Sequence, residues 1–536
     1  MLATLLPEDN NITKAAVTTV CLLIVYGVYK ILQIGKRDPR MPPGPPTVPI
    51  LGNLHQIPST GLFKQFRDWA KEYGSVYSLK LGTGNVIVLC DREAIHALLD
   101  KKSNIYSDRP ESYVGQLLTK GDHIGLEPAD KVWREKRKVV AHNFSPKMLD
   151  EKHFKIQEAE SAILLNDLLD TPEDFIKHVR RYTSSVACSI VYGQRGDTYE
   201  SFWGHAVYNV MEEWSEAMEP GASPPADVYG IFKLIPTSLA IWKQKALKAG
   251  TTMNYSWNKA RQVVDKRRAT GERRDCIADQ LMDEYEKKGY PFSDHSFNML
   301  LGELVEGGAD TTASQICTLI MAFALYPEVQ KKARVEIDRV CGVDRAPMFT
   351  DFECMPYINA IVKEGMRWRP TSATGLPHKA REDDWYKGML IPKDSTIFLP
   401  TWAVHHTEEF YEDDDVFNPD RYLGYNKLAS DYAGSPNWER RDHYGYGAGR
   451  RICPGVHMAE RSQWRTAAKL LWAFEFSRAI DPETNLPIPI DSHDYSPGIA
   501  QFPRPFQVVI KPRSAQHIAK IREEKEHTME LLAKYS

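Results

Sequence analysis

The chain has 536 residues, in which 68 Lys+Arg against 71 Asp+Glu leave a formal charge of -3 at pH 7. A balanced 26% of charged residues excludes a disordered, collagen-like or low-complexity chain, and a near-neutral total with no strongly basic run argues against nucleic-acid binding. Eight cysteines, none in a CxxC pair or a compact cluster, exclude a disulfide-stapled secreted domain and a zinc ribbon, so most of them read as small apolar groups in a reducing compartment.

Residues 15–34 read AAVTTVCLLIVYGVYKILQI, interrupted only by Thr18, Thr19, Lys30 and Gln33, which predicts a single membrane-spanning helix. A cleavable signal peptide is the competing reading, but the stretch is long for one and no small-x-small site follows it. Lys30, Lys36, Arg37 and Arg40 crowd the C-terminal flank while Lys14 alone precedes the span. The positive-inside rule then places residues 1–14, with the Asn11-Ile12-Thr13 sequon, in the lumen and the body in the cytosol. Residues 35–50 form a basic flank and a hinge with five prolines between Pro39 and Pro46, a stiff extended spacer.

Residues 51–536 read as one mostly α domain with small β-sheets, without internal repeats or a long Gly/Ser linker. Alternation over 75–90 around Gly82-Thr83-Gly84 predicts a hairpin. Helical periodicity predicts helices at 92–100, 131–141, 150–170, 173–191, 238–268, 294–325, 328–340, 355–368 and 455–476, with short strands near 378–400 and at the C-terminal end. The breaker-rich stretch 215–236 encloses Ile231-Phe232-Lys233-Leu234-Ile235, which reads equally as a patch dipping into a membrane interface or as a packed connecting loop.

The most informative stretch is Tyr446-Gly447-Ala448-Gly449-Arg450-Arg451-Ile452-Cys453-Pro454-Gly455. Its glycines let backbone approach something flat and large, and Cys453 stands just before a helix, where a thiolate is stabilised by backbone N–H groups. These ten residues resemble the haem-binding loop of the cytochrome P450 family, Phe-Gly-x-Gly-x-Arg-x-Cys-x-Gly, with Tyr446 in the Phe position as the single departure. The resemblance implies a cytochrome P450 fold, haem b as cofactor, Cys453 as the axial thiolate and metal ligand, and Arg451 as a cofactor-binding residue. The added hydroxyl of Tyr446 needs a partner or water.

Other motifs fall in the family's order. Glu364-Gly365-Met366-Arg367 is similar to its ExxR helix, and Phe417-Asn418-Pro419-Asp420-Arg421-Tyr422 supplies Arg421, so that Glu364, Arg367 and Arg421 form the implied structural triad. Two further ExxR spacings, Glu336 to Arg339 and Glu475 to Arg478, read as solvated helix pairs. Gly307-Gly308-Ala309-Asp310-Thr311-Thr312 lies in a helix bounded by Ser293 and Pro327, where adjacent glycines cost about 1 kcal/mol each against alanine. It is similar to the family's loosened oxygen-site helix, which implies Asp310 and Thr311 as catalytic proton carriers. A kink with Thr hydroxyls on backbone carbonyls is the structural alternative. Trp133 and Arg137, four apart on one helical face, and His378 are implied cofactor-binding residues toward the haem propionates. His378 reads as well as an ordinary turn histidine.

The implied activity is that of a membrane-anchored haem-thiolate monooxygenase of the endoplasmic reticulum, single-pass with its catalytic domain in the cytosol. It takes O2 and electrons from a separate NADPH-cytochrome P450 reductase, with cytochrome b5 as a further donor, and acts on a small hydrophobic substrate. Arg134, Lys136, Lys138, Arg440, Arg441 and Arg450 suggest a basic docking face for that reductase. The small residues Thr371-Ser372-Ala373-Thr374-Gly375 suggest room for a bulky, polycyclic aromatic or polyketide-type substrate, and the layout resembles fungal microsomal members of the O-methylsterigmatocystin oxidoreductase type. The alternatives are an isomerase or dehydratase of the same fold that needs no O2, and a non-catalytic haem-binding protein.

Overall fold

The computed structural model describes residues 10–536. Most of the predicted lumenal segment 1–14, and the side chain of Asn11, lie outside the described residues.

Helix α1 (Asn10–Gln33) contains the apolar window Lys14–Gln33, of which 0% is buried inside the protein. A helix apolar on every side and covered by nothing else among the described residues fits a membrane anchor. The proline hinge after it is a docked strap and not a free spacer. Ser78 donates its N–H to Pro43 O at 2.7 Å and its hydroxyl to Pro42 O at 2.5 Å, while Arg37 donates to Gly44 O and Pro45 O at 2.8 and 2.6 Å. Prolines have carbonyls but no N–H, so they can only accept, and Pro42 and Pro43 do so from an edge strand.

The body follows as α2 (Leu62–Tyr73), the hairpin β1 (Val76–Leu81) and β2 (Gly84–Leu89), α3 (Tyr113–Thr119), α4 (Lys131–Asn143), α5 (Phe154–Asp170), α6 (Phe175–Tyr192) and α7 (Phe202–Met218). Then come α8 (Ile241–Ala269), α9 (Ile277–Lys288), α10 (Asp294–Leu325), α11 (Pro327–Val340) and α12 (Pro356–Trp368). Short strands β3 (His378–Lys379), β4 (Asp384–Tyr386), β5 (Met389–Ile391) and β6 (Thr396–Phe398) precede α13 (Val456–Ala473), β7 (Phe474–Arg478), β8 (Val508–Pro512) and α14 (Ala515–Leu532). The predicted hairpin registers Val76 against Leu89, and it grows into the sheet β1-β2-β6-β3 through a parallel β2–β6 pairing. Helix α10 crosses the centre, packed against α6, α7, α8, α12 and α13.

The mostly helical architecture is the predicted one, but α2, α3, α7, α9 and α14 had no predicted counterpart. In α9 and α14 the buried face is narrow, with Ile277, Leu281, Met282 and Tyr285 making a single stripe in the one and His517, Ile521 and Leu532 in the other. At the other end of the scale α13 stops at Ala473 and turns directly into β7, in which Phe474 and Phe476 alternate inward. Glu475 and Arg478 are therefore on a strand and form no helix pair; Glu475 reaches Arg334 at 3.1 Å. Glu336 accepts the N–H of Tyr357 at 2.9 Å, and Arg339 donates to Cys354 O at 3.0 Å, so these two side chains serve backbone and not each other.

Helix α14 follows the last sheet strand and lies along α5. Leu532 is buried against Ala159 and Ile163, Arg522 grips Asp170 at 2.5 Å, and Tyr535 O accepts the N–H of Arg195 at 2.8 Å. Replacing Leu532 with Ala should cost about 2–4 kcal/mol of stability, read as a lowered urea midpoint with an unchanged m-value.

Candidate functional site

From Ser296 to Ala324, helix α10 is buried at every residue except Gly307, Gly308 and Thr311. These lie on one face, and a Cβ built on Gly307 would meet nothing within 4 Å, so the centre of the protein holds open space beside this turn. A Cβ on Gly308, by contrast, would stand 3.5 Å from Ala187 Cβ and 3.9 Å from Met458 Cε, in ordinary contact with α6 and the helix that follows Cys453. The expected loosening is not a break, because α10 runs unbroken through 294–325. Thr311 donates its hydroxyl to Gly307 O at 2.8 Å, the bond foreseen in the structural alternative. Burial pushes the Asp310 carboxyl up to about 6, against the downward pull of Arg180, which itself reaches the exposed Glu212 at 3.1 Å.

The cysteine loop is built as its glycines suggest. Gly447 and Gly449 have φ of 75° and 62°, and a Cβ on Gly449 would stand 2.1 Å from Leu99 O. Cys453 N–H donates to Tyr446 O at 2.8 Å, closing the loop on itself just ahead of α13. Burial pushes the Cys453 thiol up, while the backbone N–H of Gly455 and the charge of Arg137 pull it down. Those two are the groups that stabilise a thiolate. The extra hydroxyl of Tyr446 finds Gln463 Nε2 at 3.4 Å.

Around this loop converge cations that form no ion pair, although Asp108 and Glu127 act on Arg451 from a greater distance. Arg451 stacks over Trp133 at 4.1 Å and donates to Ser107 O, Ile124 O and Glu127 O at 2.7, 3.3 and 2.6 Å. Arg137 donates to Ile452 O, and Arg109 donates to Gly125 O, Leu376 O and Pro377 O at 2.9, 2.8 and 2.6 Å. Among the described residues none of the three pairs with a carboxylate. Burial, then mutual repulsion with Arg451 and Arg137, holds Arg109 well below its ordinary value. Burial also lowers Arg451, to about 10. Buried charge of one sign is costly unless something neutralises it. A planar group with two carboxylates, bound edge-on to these arginines and ligated by Cys453, fits this donor set, so the residues present suit a haem. His378 is buried beside them and lowered to about 3 by burial and by Arg109; its Nδ1–H donates to Tyr106 O at 2.8 Å. In the neutral ring this leaves Nε2 an acceptor, so His378 can donate to a carboxylate only once protonated.

Glu364 and Arg367 form a bidentate pair at 2.7 Å with both side chains 0% exposed, and Arg421 Nε stands 3.6 Å from Glu364. Arg421 donates to Asp413 O at 2.8 Å. Of the predicted basic face, Arg134, Lys138, Arg440 and Arg450 are exposed, but Lys136 and Arg441 are not part of it. Lys136 is buried against Glu127 and Asp122 O, and Arg441 donates to His443 O and Gly447 O.

Sequence reasoning missed Arg109 and a polar cluster on α10. A lone Arg109-Pro110 pair has no spacing signal. Glu303 and Glu306 look like ordinary helix-surface acids until α10 is seen to be interior.

Comparison with known proteins adds an independent finding. The chain matches the family described as Cytochrome P450 over residues 42–509. It is 40% identical over 513 residues to the cytochrome P450 monooxygenase patI of Aspergillus clavatus, covering 96% of each chain. It is 39% identical over 536 residues to the cytochrome P450 monooxygenase macC of Penicillium terrestre, with 98% of this chain and 99% of that protein aligned. Over 529 residues it is 38% identical to the cytochrome P450 monooxygenase atE of Aspergillus terreus, with 98% of each aligned. With an interior cysteine loop, a ring of unneutralised arginines and an opening beside Thr311 in the same molecule, the chain belongs to the cytochrome P450 family of haem-thiolate monooxygenases.

Proposed function

We propose that the protein is a membrane-anchored monooxygenase in which Cys453 ligates the haem iron and Arg109, Arg137 and Arg451, stiffened by Trp133, neutralise the propionates. The observation that carries this reading is the set of three guanidiniums, Arg109 and Arg451 buried and Arg137 half-buried, with no carboxylate partner among the described residues and gathered around the cysteine loop. When bound, the haem supplies reductive activation of O2 and transfer of one oxygen atom to a carbon centre.

The chain's own residues do the rest. Asp310, whose carboxyl burial pushes up to about 6, takes a proton from the Arg180–Glu212 side, where Glu212 meets solvent. Thr311, one residue on, presents its hydroxyl to the open space while its proton rests on Gly307 O. Such a relay has no use in an isomerase, a dehydratase or a passive haem carrier. His378 joins the propionate ring once the carboxylates draw a proton onto it.

Electrons come from an NADPH-cytochrome P450 reductase docking on the exposed Arg134, Lys138, Arg440 and Arg450, with cytochrome b5 as an alternative donor. The location is the endoplasmic reticulum membrane, with the body on the cytosolic side. Ile231, Leu234, Leu239 and Ile241 are 69%, 76%, 76% and 70% exposed, which favours the interfacial reading of this segment over a packed loop.

The substrate is a bulky hydrophobic secondary metabolite of polycyclic aromatic or polyketide type, oxidised or oxidatively coupled. Of the small residues Thr371–Gly375, Thr371 and Ala373 are buried in structural contacts, and Ser372, Thr374 and Gly375 keep accessible surface.

A carbon monoxide difference spectrum of the reduced protein tests the ligand. Wild type should give the red-shifted Soret band of thiolate ligation, and Cys453→Ser should lose it; folded wild type without haem would overturn the assignment. With a reductase present, Asp310→Asn should keep that band but form product about 100-fold more slowly while NADPH oxidation continues, measured as product per NADPH consumed.

A further inference from the structure

On the far side of the cysteine loop from α10 lies an acid with no part in the oxygen chemistry. Glu460 stands on α13 one turn after Val456, which packs with Cys453, Tyr446, Met366 and Ala459 in a small apolar cluster. It is 3% exposed, and backbone alone holds it: Oε1 accepts the N–H of Ala429, and Oε2 that of Ser430 at 3.2 Å. These bonds satisfy the oxygens, but among the described residues no cation pairs with the charge. A buried carboxylate without a counter-ion is costly.

The charged groups around it are already committed. Lys363 on α12 pulls on Glu460 but is paired with Asp442 at 2.5 Å, and Asp442 itself repels the acid. Arg461, next along α13, turns to Asp150 at 2.7 Å. Burial pushes the Tyr446 phenol well up, lowers His443 to about 4 and lowers His457, three residues back on α13, so all three are neutral; Asp431 is exposed. Burial then pushes the Glu460 carboxyl up to about 7, against Lys363 and the two N–H groups. The Cys453 thiol, pushed up first by burial, is pushed up further by the Glu460 charge, so two groups that would both be anionic share one dry interior. Solvent comes within one layer of the acid, because Ser430, Val456 and His457 line an open surface cavity of about 560 Å3.

We propose that Glu460 is a positioning residue that acts through Cys453, coupling the entry of an electron at the haem to the uptake of one proton on the thiolate side. The proposal rests on the haem-thiolate reading and adds a regulation of its electron entry. One electron from the donor turns ferric iron ferrous and adds a negative charge near the acid. One proton from solvent, arriving by the cavity, converts the Glu460 carboxylate to the carboxylic acid, so the interior charge stays constant. Ionised Glu460 disfavours the added electron, whereas the protonated acid does not. The reduction potential therefore falls as pH rises through the range in which Glu460 ionises.

The test is a spectroelectrochemical titration of the substrate-free holoenzyme, from below to above the Glu460 value. In wild type the equilibrium constant for reduction should fall about tenfold in total, about 59 mV, and level off at both ends. Glu460→Gln, which cannot ionise, should stay flat at the low-pH level of wild type, and Glu460→Asp, which keeps an acid, should keep a fall. Should Glu460→Gln lose the thiolate band, wild type alone still decides. Its reduced-minus-oxidised infrared difference spectrum, taken just above the Glu460 value, should show the C=O stretch of a protonated carboxyl appearing on reduction and moving when glutamate is isotope-labelled. A wild-type potential independent of pH, a fall that survives unchanged in Glu460→Gln, or no glutamate carboxyl band on reduction would overturn the proposal. Absence of the thiolate band from wild type would instead overturn the haem reading on which it rests.

Discussion

The Glu364–Arg367 pair holds the proximal half of the molecule together. An ion pair with no solvent exposure is tolerable only if the remaining donors and acceptors are filled, and here they are filled from far along the chain. Arg367 donates to His405 O, Asp414 O and Val416 O at 3.2, 2.6 and 3.1 Å, and Glu364 accepts Asn418 N–H at 2.8 Å. One turn of α12 thus pins the irregular stretch 405–418, which has little secondary structure to pin itself. From there order passes to the cysteine loop: His405 Nε2 accepts Tyr444 N–H at 2.8 Å, and Lys363, next to Glu364, meets Asp442 at 2.5 Å. The loop that presents Cys453 is therefore positioned by charge buried on a neighbouring helix, and removal of either partner would strand the other in a dry interior.

The chamber above the loop is electrically divided. On the cofactor side stand guanidiniums that spend their N–H groups on carbonyls, and farther along α10 stand the buried carboxylates of Glu303 and Glu306. Residues 123–125 form the wall between them, giving N–H groups to the acids and carbonyls to the arginines. A short peptide whose two sides face opposite charges couples the fit of a ligand at one end to the seating of the cofactor at the other.

How much of this could be read from the sequence depends on how far apart the interacting residues lie. The cysteine loop and the Asp310-Thr311 turn are local, and their chemistry leaves a signature in ten or six consecutive residues. Lys136 was misplaced on the surface because nothing in Trp133–Arg137 shows that Glu127 lies within reach to bury it. Arg109 and Glu303 were invisible for the same reason, since their partners are backbone groups 16 to 268 residues away. Helix α14 was passed over because Leu532 becomes a core residue only once α5 is there to receive it.

The docked hinge constrains how the body can sit on a bilayer. Ile50 N–H bonds Ile34 O at 2.5 Å, and Tyr229 donates to Ile50 O at 2.5 Å, so the end of α1, the strap and the approach to the exposed 231–241 segment form one rigid corner. On the proposed membrane placement, with α1 spanning and Leu234 and Leu239 immersed, the body would be moored at two points and not tethered at one. A single tether lets a globule swing and roll, whereas two moorings joined without slack fix its tilt and leave only rotation about the bilayer normal. Under that placement the same face of the protein would always be turned to the lipid.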